Sequence, residues 1–223
     1  MSELIPRISS KIHDFLNLLF AVDAECILCG EEAHTDNFGM CKNCASMLIY
    51  PNDTEDLLNK NQYLDGICVA FAYSGTVPDG VLRMKYGHRL YLSEKFAALM
   101  DVREDWEIDV AVAVPMYKKK LNARLYNHSD LMARFLCSRL RIPYDGSLLM
   151  RIKPTPAQMR ATRKDRLVLQ AGSVLASDDC DGKSILLIDD VCTTGSTVNE
   201  CAKVMKEKGA KAVYVTVFAH GKA

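Results

Sequence analysis

Apolar and polar positions along this chain follow two periods, which predict short strands separated by helices. Compact apolar runs occur at Ile67-Cys68-Val69-Ala70-Phe71-Ala72-Tyr73, at Val110-Ala111-Val112-Ala113-Val114, at Leu148-Leu149-Met150-Arg151-Ile152, at Ile185-Leu186-Leu187-Ile188 and over 212–218. Runs this short, with few polar residues inside, predict strands buried on both faces of a parallel sheet. Pro115 stops the second run, because proline cannot donate to a ladder. Between the runs, apolar residues recur at helical spacing over 77–86, 91–100, 127–140 and about 198–208, and Gly87 closes the first of these helices. Residues 51–62 are polar and helix-prone and read as a connection. Upstream, Ile8, Ile12, Phe15, Leu16 and Leu19 predict an amphipathic helix over 6–20. It carries too few Lys and Arg for a membrane-surface helix, so packing against the next domain is the expected role. Strands alternating with helices give an α/β fold: a mostly parallel sheet with flanking helices.

The run at 185–188 stands apart because of the residues directly downstream. Asp189 and Asp190 come first, then Val191, Cys192, Thr193, Thr194, Gly195, Ser196 and Thr197, and then the helical pattern. Open α/β sheets place ligands at the C-terminal ends of their strands. Gly195 permits tight or left-handed backbone geometry. Consecutive N–H groups at a helix start, aided by the helix dipole, form an anion site. The hydroxyls of Thr193, Thr194, Ser196 and Thr197 can donate to phosphate oxygens without bulk. Carboxylates beside such a cradle suit ribose hydroxyls or Mg²⁺. A plain capped turn would need one such residue, not four with an acidic pair.

Composition narrows the setting. The chain has 223 residues, 49% hydrophobic and 25% charged, enough for one sizeable core and a small appendage. Lys+Arg and Asp+Glu both number 28, so no global field attracts nucleic acid and any polyanion site must be a local patch. No stretch approaches about 18 consecutive apolar residues, so no transmembrane helix is expected. The apolar run over 12–24 is broken by Asp14 and lacks a cleavage site, which makes it a poor signal peptide. A cytoplasmic protein is expected. Of nine cysteines, Cys26, Cys29, Cys41 and Cys44 fall in two Cys-x-x-Cys pairs. Four thiolates are the ligand set of a closed structural Zn²⁺ site; an iron–sulfur cluster takes the same set. The expected division is a helix and zinc region over 1–50 and an α/β domain over 51–223.

The stretch at 185–197 resembles the phosphoribosyl pyrophosphate (PRPP) loop of type I phosphoribosyltransferases. That resemblance implies that Asp189 and Asp190 meet ribose hydroxyls, that residues 193–197 wrap the 5-phosphate, and that Mg²⁺ accompanies PRPP. Tyr73-Ser74-Gly75 followed by Leu82-Arg83-Met84-Lys85-Tyr86-Gly87 is similar to a segment of the competence protein F (ComF) family. Its members join an N-terminal zinc knuckle to a phosphoribosyltransferase domain. In that context Lys85 is a candidate anion contact. The family has Arg-Gly-Phe-Asn-Gln where this chain has Arg124-Leu125-Tyr126-Asn127-His128. The basic segment 116–124, read as a loop after a buried strand, supplies Lys118, Lys119 and Arg124 as candidates for a pyrophosphate leaving group. Residues 153–166 resemble the family's mobile arm, with Gln158 and Arg166 at matching spacing. The family's link to natural competence implies handling of incoming single-stranded DNA beside an ATP-driven translocase. The rival reading is a sensor of phosphoribosyl nucleotides, or a DNA-binding module, without turnover. A homodimer is among the expected assemblies.

Overall fold

The computed structural model describes residues 23–154 and 172–221. The helix expected over 6–20 and most of the arm over 153–166 lie outside the described residues.

The chain opens with an antiparallel ribbon, β1 (Asp23–Glu25) and β2 (Glu32–His34), and a short helix α1 (Lys42–Ser46). Helix α2 (Thr54–Asn59) leads into β3 (Gly66–Ala72), α3 (Val77–Tyr86) and α4 (Tyr91–Ala98). Then come β4 (Val110–Ala113), α5 (Lys118–Arg124) and α6 (His128–Leu140). A second ribbon, β5 (Leu149–Arg151) and β6 (Val174–Ala176), precedes β7 (Ser184–Cys192), α7 (Ser196–Glu207) and β8 (Ala212–His220).

Strands β3, β8, β7 and β4 form a parallel sheet in that order. The pleat sends alternate side chains to opposite faces. Leu186, Ile188 and Phe218 pack on one face with α3, α4 and α6, while Ile185, Leu187, Val215 and Val217 pack on the other with α7. Both faces are buried, which is why the strands read as continuous apolar runs. Phe96 stacks on Phe218 at 4.2 Å between ring centroids.

The cysteine region shares this core. Cys26, Ile27, Leu28, Met40 and Cys44 are buried in the same cluster as Met84, Phe96 and Leu186.

Three elements differ from the sequence expectation. The run at 148–152 is a short strand as expected, but it does not join the main sheet. Its β5 instead pairs antiparallel with β6, a strand the pattern did not reveal. Met150 is 64% exposed, so this strand is buried on one side only. Within the basic segment 116–124, Lys118–Arg124 is helix rather than loop. Pro115 ends the strand, and good helix formers run from Lys118 to Leu125, whose left-handed backbone (φ 69°) closes α5. Strand β7 extends beyond 188, with Asp189 paired to Val217 and Cys192 to His220, so the carboxylates sit within the ladder rather than after it.

Candidate phosphoribosyl site and cysteine cluster

The C-terminal ends of β4 and β7 open into a cleft of about 240 Å³. Asp189 and Asp190 form its acidic wall, with Thr197 from the start of α7. Lys85 of α3, Lys120 and Arg124 of α5, and Arg151 of β5 bring positive charge to it from three different elements.

Adjacent residues on a strand point to opposite faces, so the two carboxylates have different partners. Asp190 reaches the Lys85 ammonium of α3 at 2.9 Å. Asp189 accepts from the Ser129 hydroxyl at 2.8 Å and from the Asp190 backbone N–H at 2.9 Å. Burial, reinforced by the negative charge of Asp190, raises the Asp189 carboxyl to about 7. Burial works against the charge on Lys85, but Asp190 and Asp189 outweigh it and raise its pKa. Lys120 moves the other way, lowered by burial and by Arg124 and Lys85. Cations that depress one another in this way make a wall suited to a multivalent anion.

Ser129 is placed by a cap. The Asn127 side chain accepts from the Ser129 N–H at 3.2 Å and donates to the Val114 carbonyl at 3.1 Å. It therefore starts α6 and ties that helix to the end of β4. Just before it, Leu125 stands where the resembling family has glycine, and it adopts the left-handed geometry that glycine takes without strain. Arg124 donates to the Tyr86 hydroxyl at 2.8 Å and lies 4.7 Å from that ring's centroid.

The loop after β7 turns at Gly195, whose φ of 79° starts α7 without a side-chain cap. Thr194 and Ser196 hydroxyls bond each other at 3.1 Å. Gly195 is fixed twice over. A Cβ there would need a strained φ and would lie 2.2 Å from the Asn61 amide nitrogen. Asn61 is wholly buried and donates to the Leu57 carbonyl, while its Oδ1 has no partner among the described residues.

The structure therefore brings Asp189, Asp190, Thr197, Lys85 and Arg124 of the expected set to one cleft, with residues 193–196 forming the turn into α7. Val191 and Cys192 lie in the strand; Cys192 is buried and held as a thiol, its pKa raised to about 12 by burial and by Asp189. Lys118 is exposed and does not line the cleft, whereas Lys120, two positions along the helix, does. Reading 116–124 as a loop hid this choice. Ser129 and Arg151 were missed as well. The Asn127 cap could have signalled Ser129, but no local pattern points to Asn61, which meets Gly195 only through the fold.

In the cysteine region, Cys26, Cys29, Cys41 and Cys44 place their sulfurs within 4.8 Å of one another, with Cys29 and Cys41 at 4.0 Å. Tetrahedral zinc with bonds of about 2.3 Å separates its sulfurs by about 3.8 Å, so the cluster fits the ion. Backbone N–H groups of Cys41 and Cys44 donate to the sulfurs of Cys26 and Cys41 at 3.3 and 3.5 Å. Burial opposes a Cys26 thiolate, but N–H donors led by Cys41 outweigh it and lower the thiol to about 7. Burial pushes the Cys29 and Cys44 thiols the other way, so thiolate character is concentrated at Cys26.

A family model for the phosphoribosyl transferase domain matches residues 131–223, which hold the acidic pair, the loop and α7. Competence protein F of Haemophilus influenzae is 26% identical over 92% of this chain and 93% of its own length. DNA utilization protein YhgH of Escherichia coli is 31% identical over 48% of this chain and 47% of its own. Competence protein ComFC of Bacillus subtilis is 30% identical over 49% of this chain and 42% of its own. The chain is thus similar to competence protein F over nearly its whole length, and its C-terminal part matches a phosphoribosyl transferase domain.

Proposed function

We propose that the cleft binds PRPP as its Mg²⁺ complex and that the protein serves DNA uptake in natural competence. The observation that carries this reading is the acidic pair running into an uncapped, glycine-started α7 and facing a wall of four cations. In this reading Asp189 and Asp190 accept from the ribose hydroxyls, and residues 193–197 hold the 5-phosphate at the N-terminus of α7. Lys85, Lys120 and Arg124 face the pyrophosphate; Lys118 can reach it only by swinging in from outside the cleft.

The reaction suited to this arrangement breaks the bond from the anomeric carbon to pyrophosphate while an acceptor bonds to that carbon. Positive charge develops on the sugar and negative charge on the leaving group. The cations stabilise the latter, and the carboxylates fix the ring. Mg²⁺ bound with the pyrophosphate would supply further neutralisation of the leaving group beside Lys85, Lys120 and Arg124. The four cysteines hold a structural Zn²⁺. A cytoplasmic location is part of this proposal. No helix among the described residues is long and apolar enough to cross a membrane.

Titration calorimetry with PRPP and Mg²⁺ tests the reading, with a Thr194→Ala, Gly195→Val double variant as control. Saturable binding by the native protein and none by the variant is expected. Absence of binding to the native protein refutes it. A second reading, a single-stranded DNA contact at the rim, is favoured by exposed Lys118 and Lys119 beside the Tyr86–Arg124 pair. Such binding weakens steeply with salt, whereas phosphoribosyl transfer persists at high salt.

A further inference from the structure

Helix α3 lies between the cysteine cluster and the acidic pair, and touches both. In its middle, Gly80 leaves the helix flush against the first knuckle: a Cβ there would come within 2.9 Å of the Leu28 side chain and 3.1 Å of the Ile27 carbonyl. One turn on, Arg83 donates through Nη1 to the carbonyls of Cys26 at 2.8 Å and Ile27 at 3.3 Å. Its other terminal nitrogen pairs with Glu25, which Arg89 also engages. Both carbonyls belong to the turn that carries Cys26 and Cys29. Gly30 keeps the space clear, since a Cβ there would lie 2.8 Å from the guanidinium carbon.

Lys85 follows Arg83 by two residues, about 200° around the helix. It therefore leaves the opposite side and meets Asp190 at 2.9 Å. The same rigid turn is clamped to the knuckle on one side and carries the cation of the cleft on the other.

We infer that Arg83 is a positioning residue: by fastening α3 to the cysteine knuckle it sets Lys85 on Asp190, so the metal module shapes the phosphoribosyl site. This rests on the reading of the cleft as a PRPP site. A purely structural Arg83 would contribute to folding and leave the affinity of folded protein untouched.

The test compares native protein with Arg83→Met, Arg83→Lys, Lys85→Met and the Arg83→Met/Lys85→Met double variant. Zinc content and melting temperature are recorded for each. Affinities for PRPP with Mg²⁺ and for inorganic phosphate are measured on fully metallated, folded protein. Lys85→Met is expected to weaken PRPP binding about tenfold, as loss of one charge-assisted contact does. Arg83→Met should weaken it about fivefold or more, with phosphate affinity unchanged within about twofold. The double variant should bind no more weakly than Lys85→Met alone, because Arg83 acts through that residue. Arg83→Lys should recover part of the loss, and it replaces Arg83→Met if the latter does not fold. Unchanged PRPP affinity in both Arg83 variants, additive losses in the double variant, or an equal loss for phosphate overturns the inference. If native protein binds no PRPP, the proposed function fails and this inference with it.

Discussion

Replacing the two carboxylates one at a time separates a ribose site from an ordinary strand end. Asp189→Asn and Asp190→Asn keep shape and remove charge. Each carboxylate that accepts from a ribose hydroxyl makes a charge-assisted bond worth about 1.5–3 kcal/mol. Its loss should weaken PRPP binding roughly ten- to a hundredfold. The two variants should part company in stability. Asp190→Asn strands the Lys85 ammonium, whose side chain is 21% exposed, beside a carboxylate site that was 10% exposed. Breaking a fully dry pair costs about 3–5 kcal/mol; partial solvent access here brings the expected cost to about 1–2 kcal/mol. Asp189→Asn should cost little, because burial already favours a neutral group there and the amide oxygen still accepts from Ser129. Calorimetry with PRPP and Mg²⁺, calorimetry with inorganic phosphate, and thermal melts supply the assay. Phosphate lacks the ribose, so its affinity should hardly change. Equal losses for both ligands, or no loss for PRPP, would refute the ribose assignment.

Three further outcomes are expected. Metal analysis should find one Zn²⁺ per chain, and Cys41→Ser should lose it together with the ordered fold of the knuckle; full zinc occupancy in that variant contradicts the ligand set. Gly195→Ala should abolish phosphate binding and destabilise the fold by about 1–3 kcal/mol, given its φ of 79° and the Asn61 amide in the way; a variant that melts and binds like native protein excludes the loop geometry described. For pH, the folded Asp189 carboxyl at about 7 lies above its unfolded value, so the stability it contributes is present at low pH and lost as pH rises to 7. PRPP affinity should run the other way, rising from pH 6 to 8 as the carboxylate forms, and Asp189→Asn should flatten that rise; parallel profiles for native and variant protein would exclude the assignment.

Much of this was legible because local chemistry dictated it. The apolar runs at 67–73, 110–114, 185–188 and 212–218 each became strands of the main sheet, since a sheet covered on both faces leaves no polar period to confuse the reading. Helix α3 matches its expected span of 77–86, closed by Gly87. The four cysteines converge as their spacing implied. What stayed hidden depended on partners distant in sequence. Residues 148–152 look like core strand until β6 is seen beside them. Lys118 and Lys120 are indistinguishable as sequence, and only the rotation of α5 points one of them into the cleft. Nothing near Arg83 shows that it grips the backbone of the first knuckle.

The order of strands in the sheet also constrains how the chain can be built as it leaves the ribosome. Both edge strands, β3 and β4, are synthesised early, and both central strands, β7 and β8, late. Asp65 at the foot of β3 accepts from Val213 across 148 residues, and Asp109 before β4 accepts from Ser184 across 75. Neither edge strand can find its neighbour until nearly everything else has emerged. Closing such loops costs entropy before any pairing repays it, which makes sheet assembly slow. The cysteine knuckle is different: Cys41 donates to the Cys26 sulfur across only 15 residues. It can close while β7 is still untranslated, giving α3 a surface to dock on. The nascent chain then carries two unpaired apolar strands with one folded anchor, and waits for its centre to arrive last.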